Sequence, residues 1–377
     1  MSHRMDEYTQ ELASLHYTQE QKNRLAAVSV HLAQQDTPRP TYRRRPVRRA
    51  LLITAAVCAL LIGTASATGM LKTIAEWFSP IFGTSSTQQA DIINEIGTPI
   101  GVSDTDNGIT LTAEAIVLDK YNLCVAYTIS WEDDDAIDLP DWELSKPDFN
   151  TPGPKQYLLF EKPMYMLDTT SGYGVDYWFT DADPNDNQIE YYETYSSNGT
   201  PDALTTGELT VDLENIQAVT MDQDNNVTHN TIATGHWQLT FDATSEKDCS
   251  VTPGNVERNF EAADFSITVK DITISPIAVH IGCEFQSELF TVYDIEKDTE
   301  ELENRRMEKT EQLQQIPVIL TKTDGTTVDL TNGNGFSISS DDTTAYLSKG
   351  GILSEITPIE DMQSISIGDI TYDIPHN

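Results

Sequence analysis

The stretch DADPNDNQIE sets Asp181, Asp183 and Asn185 at alternate positions, as the first, third and fifth ligands of a calcium loop are set. Oxygen side chains at that spacing suit a hard cation. The pattern then fails, because Asp186 stands where the sixth position needs glycine and Tyr192 where the twelfth needs a bidentate glutamate. A solvated acidic turn is the expected state. Gly333-Asn334-Gly335 lacks the third glycine and the following helix of a phosphate loop, so it reads as a turn. The seven histidines show no zinc spacing, and the chain has no CxxC, GxSxG or HExxH. Carboxylate pairs suited to glycoside chemistry carry no information in a chain with 60 acids. These readings predict no enzyme, no catalytic residue, no metal and no cofactor.

Charge divides the chain. Residues 1–49 hold nine Lys/Arg against five Asp/Glu, a net of +4, and the remainder carries -41 of the total -37. A body that acidic repels phosphates, which argues against a nucleic-acid partner. Of the four cysteines, Cys58 lies in an apolar run, and Cys124, Cys249 and Cys283 are widely spaced, so no disulfide framework is expected. Buried small hydrophobes are the plainer reading of these three, although one pair could bridge in an oxidising compartment.

Four elements lead into the body. Residues 1–35 read as a helical tail: Tyr8, Leu12 and Leu15 mark one apolar stripe, and Leu25, Val28 and Leu32 mark another behind an N-cap at Thr18. Two stripes on so short a segment cannot enclose a core, so a docking partner is expected to cover them. A Pro- and Arg-rich linker follows at 36–49. The uncharged run ALLITAAVCALLIGTASATG then predicts a transmembrane helix over 50–70. A buried helix and a secretory signal cleaved near Ala65-Ser66-Ala67 stand beside that reading. Arg43, Arg44, Arg45, Arg48 and Arg49 crowd its N-terminal flank, which predicts a cytoplasmic N-terminus, contact with membrane lipid and an extracytoplasmic body. Over 71–95 a stalk is expected, with Leu71, Ile74, Trp77 and Phe78 at helical spacing, Trp77 at the membrane interface, and Pro80 and Gly83 ending the helix.

Beyond residue 96 the period changes to two. The segments 108–119 and 121–131 predict a hairpin turning near residues 120–122. Further strands are expected at 156–166, 173–180, 208–213 and 235–242. A second series follows at 264–285, 289–293, 316–321, 327–330 and 365–374. The charged segment 294–315 predicts a solvated helix or insertion. With a boundary at 250–256, the fold class expected is mainly β: the helical tail, one transmembrane helix, and two immunoglobulin-like β-sandwich modules at 96–250 and 256–377.

Several of these phrases resemble a known family. LASLHYTQEQKNRL, the Arg-rich stretch into ALLITAAVCALLIG, IGTPIGVSDTDNGITLTAEAIVLDKYNLCVAYTI (96–129), ITISPIAVHI (272–281) and IEDMQSISIGDITYDI (359–374) are similar to the membrane-anchored, anti-sigma-like proteins of Gram-positive bacteria that carry domain-of-unknown-function 4179. The 96–129 block, with its D-K-Y-N turn, is the distinctive part. The resemblance implies a tail that holds a sigma factor and a β body that senses an unknown extracytoplasmic ligand. It implies no catalytic site. The alternative is a surface-anchored module that binds an envelope polymer or a host ligand.

Overall fold

The computed structural model describes residues 72–149, 151–161, 164–166, 173–197, 207–244, 249–291, 300–333, 335–341 and 344–376. The chain enters through two short helices. α1 (Ile74–Phe82) is capped by Thr73 with Glu76 in a capping box, and stops at Gly83, whose φ of 54° is open to glycine without a Cβ penalty. α2 (Thr87–Ile96) repeats the device with Ser86 and Gln89.

The first β unit opens with β1 (Gly97–Asp106), β2 (Ile109–Leu118) and β3 (Asn122–Trp131). The expected 108–131 hairpin is β2 and β3, with Leu118 opposite Leu123. Its alternation is broken once. A bulge between Ala113 and Ala115 reverses the faces, so Ile109, Leu111 and Ala113 share a core with Ile116 and Leu118, while Ala115 and Val117 point to the other side. The remaining strands are β4 (Lys155–Phe160), β5 (Met164–Met166), β6 (Tyr173–Thr180), β7 (Gln188–Ser197), β8 (Glu208–Met221) and β9 (Val227–Asp242). One sheet runs β1-β2-β3-β7-β6, and in the other β8 carries β4 and β5 along one edge and β9 along the other. Both sheets contribute side chains to one core, in which the Trp237 indole donates to the Ile109 carbonyl at 3.0 Å.

The second unit comprises β10 (Arg258–Ala262), β11 (Phe265–Ile274), β12 (Ala278–Phe285), α3 (Glu288–Thr291), α4 (Glu300–Gln314), β13 (Val318–Lys322), β14 (Thr327–Asp329), β15 (Ser337–Ser340), β16 (Ala345–Ile352), a 3-10 turn at Ile359–Asp361, β17 (Met362–Ile367) and β18 (Ile370–Asp373). Its sheets run β10-β11-β12-β16-β15 and β14-β13-β17-β18. β11 repeats the trick of β2. A bulge between Val269 and Asp271 keeps Ile267, Val269, Ile272 and Ile274 in the core and turns Asp271 and Thr273 outward.

Several expectations are corrected. Among the described residues the β-rich body stands as four antiparallel sheets, but not as two immunoglobulin-like sandwiches. β1, β2 and β3 follow one another within a single sheet, whereas the immunoglobulin order sends its second and third strands to opposite sheets. No closed sandwich or barrel is found among the described residues. The transmembrane helix expected at 50–70 lies outside the described residues, and among those described no helix is long and apolar enough to cross a membrane. The single-pass, membrane-anchored topology and the localisation built on it are therefore not retained. The nearest described helix, α1, also departs from the interfacial stalk, since Ile74, Phe78 and Phe82 are buried against the protein. The strand expected at 289–293 is in part α3. The charged segment does hold a helix, α4, and it is docked: Leu313 is buried, Lys309 Nζ donates to Asp264 at 2.5 Å, and the buried Lys349 donates to the Gln314 carbonyl.

Candidate functional site

Tyr8, Leu12, Leu15, Leu25, Val28, Leu32 and the five arginines at 43, 44, 45, 48 and 49 lie outside the described residues. Trp77 is on α1, half-buried, with the Lys72 ammonium 4.4 Å above its ring. Lys72 also pairs with the buried Glu190 of β7 at 2.7 Å. Burial pushes the nearby Glu114 carboxyl up, and the Lys72 charge pulls it part of the way back. The residue read as an interfacial anchor thus belongs to a contact between α1 and the first sheet.

The acidic segment 181–187 forms a turn between β6 and β7. Asp183 accepts from both the amide and the side chain of Asn185. No cluster of metal-ligating side chains occurs among the described residues. Cys124, Cys249 and Cys283 form no disulfide.

What the structure does bring together is the D-K-Y-N turn and the second unit. Asp119 Oδ1 accepts from the amides of Tyr121 and Asn122, which sets a tight turn between β2 and β3. The other oxygen, Oδ2, accepts from the hydroxyl of Ser275, in the connection between β11 and β12. Burial pushes the Asp119 carboxyl up, against the hydrogen bonds from Ser275 and the turn amides. Tyr121 then lies flat on His280 of β12, with ring centroids 3.5 Å apart and planes 9° from parallel, and its hydroxyl donates to Asp271 at 2.8 Å. Burial lowers the His280 pKa to about 4, against the pull of Asp271, so the ring is neutral at pH 7. The bulge in β11 is what turns Asp271 toward the junction. The apolar part of this junction contains Phe78, Phe82 and Ile93 of the entry helices, Trp178 and Tyr192 of the first sheet, and Ile277, Ala278 and Ile356 of the second unit.

A second buried polar group went unread in the sequence. Glu193 of β7 is fully buried in the first core and accepts from Tyr191 at 2.6 Å and from Tyr127 and Tyr195 at 2.8 Å each. The available signal was YYETY, which keeps strand alternation once the glutamate is allowed to point inward with its tyrosine neighbours.

The fold and this junction define a two-unit, multi-sheet β protein whose best-placed ionisable groups are used internally. Residues 43–130 match the family model described as Domain of unknown function (DUF4179), a match that takes in α1, α2, β1, β2, the D-K-Y-N turn and nearly all of β3 but none of the second unit. No curated protein matches the chain. A solved structure described as the crystal structure of the conserved domain protein from Bacillus anthracis is similar at 13% identity, over 72% of this chain and 76% of that one, with a TM-score of 0.38. A likeness that distant assigns neither fold nor function.

Proposed function

We propose that the chain is a non-catalytic binding protein carrying a DUF4179-type segment, and that it acts through contacts with a partner rather than through turnover. The observation that supports this is the state of its acid and base groups. Asp119 accepts from the Tyr121 and Asn122 amides and from Ser275, Glu193 accepts from three tyrosine hydroxyls, and His280 is buried beneath the Tyr121 ring. General acid–base work needs such groups within reach of a substrate proton. Residues 5–35, with their two apolar stripes, are the proposed partner-binding segment, and a sigma factor is the partner that the family resemblance implies. No nucleic-acid partner is proposed, because the charge of the body opposes one.

The test is a pull-down with the full chain as bait, beside a variant carrying Leu12→Asp and Leu25→Asp. The parent is expected to retain a protein that the variant loses. Identical recovery from the two baits would remove the tail from the proposal. An activity of the purified chain that His280→Asn abolishes while the fold persists would overturn the non-catalytic reading.

A further inference from the structure

We infer that α1 and α2 are a wedge that sets the angle between the two β units, so that displacing the segment entering at Lys72 frees the units to reorient. The wedge has two faces. On one side Phe78, Phe82 and Ile93 pack on the outer side of the first sheet, where the bulge in β2 adds Ala115 and Val117 to Cys124, Ala126, Trp178 and Tyr192. On the other, the same apolar cluster takes in Ile277 and Ile356 from two connections of the second unit.

Polar contacts follow the same division. The Gln89 side-chain amide, itself buried, donates to the Ile356 carbonyl at 2.9 Å and to Glu355 at 2.8 Å, and Gln88 donates to Glu360 at 3.1 Å. Lys72 ties the start of the wedge to Glu190 of the first unit. Gly97 closes α2 onto α1, and a Cβ there would stand 2.5 Å from Ile74 Cγ2 and 2.9 Å from the Ile93 carbonyl. The helix pair is therefore held tightly enough to act as one block.

The contacts of Asp119 with Ser275 and of Tyr121 with Asp271 and His280 lie beside the wedge and fix a pivot rather than a broad face. They join only a few atoms at one place on each unit, so they define where the units touch while offering a short lever against rotation. The apolar wedge supplies the filled volume that resists it. A pull or a partner acting on the chain before Lys72 thus reaches the second unit through α1 and α2. This inference does not depend on what the tail binds.

The experiment uses the full chain with Phe82→Ser, and with Gln89→Ala as a milder second variant in case the first does not fold. Amide exchange is followed by mass spectrometry, and the distribution of shapes by small-angle X-ray scattering. In Phe82→Ser, exchange over residues 74–96 is expected to speed on the order of a hundredfold. Both β units should keep their protection, and the scattering should broaden to that of two bodies at varied separation. Gln89→Ala should move both readouts the same way and by less. Faster exchange in the helices with unchanged scattering would overturn the inference, because the helices would then be peripheral. Loss of protection in the β units together with the helices would also overturn it, because helices and sheets would then form a single cooperative core.

Discussion

Tyr195→Phe deletes one hydroxyl from the group around Glu193 and changes nothing else in the packing. A hydrogen bond to a carboxylate contributes about 1.5–3 kcal/mol. The substitution should therefore lower the stability of the first unit by about 2 kcal/mol. For a unit of this size 1 kcal/mol moves Tm by about 2–4 °C, so a fall of about 4–8 °C is expected. Tyr127→Phe should have a similar effect, since its hydroxyl reaches the same Oε2 at the same 2.8 Å. The two changes should not add, because they act on one acceptor, and a coupling of at least about 0.5 kcal/mol is expected in the double variant. Glu193→Leu leaves three phenols without their acceptor, each at about 1–3 kcal/mol, and should be worse than either single change. Urea unfolding of the full chain reports this directly through tryptophan fluorescence, since Trp131 and Trp237 lie in the same core. A working site predicts the opposite sign, because groups held for chemistry release stability when replaced by inert ones. A Glu193→Leu chain as stable as the parent would refute the structural assignment of this carboxylate.

Three further outcomes are expected. His280 titrates near pH 4 when folded, against 6.5 ordinarily, so between those values the unfolded chain takes up its proton first. Its contribution is intact above about pH 6.5 and is lost as pH falls toward 4, by about 3 kcal/mol in total. His280→Asn should flatten that part of the stability–pH curve, which urea midpoints at pH 7 and pH 5 would show. Burial pushes the Cys124 and Cys283 thiols up, the latter to about 12, whereas Cys249 is half-exposed. Brief maleimide treatment of the folded chain at pH 8, read by peptide mass mapping, should modify Cys249 and spare the other two. Gly97→Ala should destabilise by about 1–3 kcal/mol through overpacking of α1 on α2, read as a lower Tm.

Period-two alternation made the β2–β3 hairpin, β6 and much of β11 and β12 legible, because a strand with one face in a core writes that face into every second residue. β7 and β16 were not legible for the complementary reason. Glu193 points into a core, and Ser348 and Lys349 are both buried in β16, so polar letters occupy positions that composition assigns to solvent. The D-K-Y-N turn stood out as a family-like phrase, but its neighbours did not, since Asp271, Ser275 and His280 lie some 150 residues away along the chain.

The sequence alone determined the β character of the body, its acidity and the position of the hairpin turn. These depend on local sterics and on side-chain period. Tertiary structure decided the four-sheet pairing, the use of α1 as an internal wedge instead of an interfacial stalk, and the consumption of Asp119, His280 and Glu193 in contacts. Each of these turns on which apolar or polar face meets which partner across long sequence separations. Amphipathic spacing gives Trp77 and Phe78 a buried face but does not name what buries it.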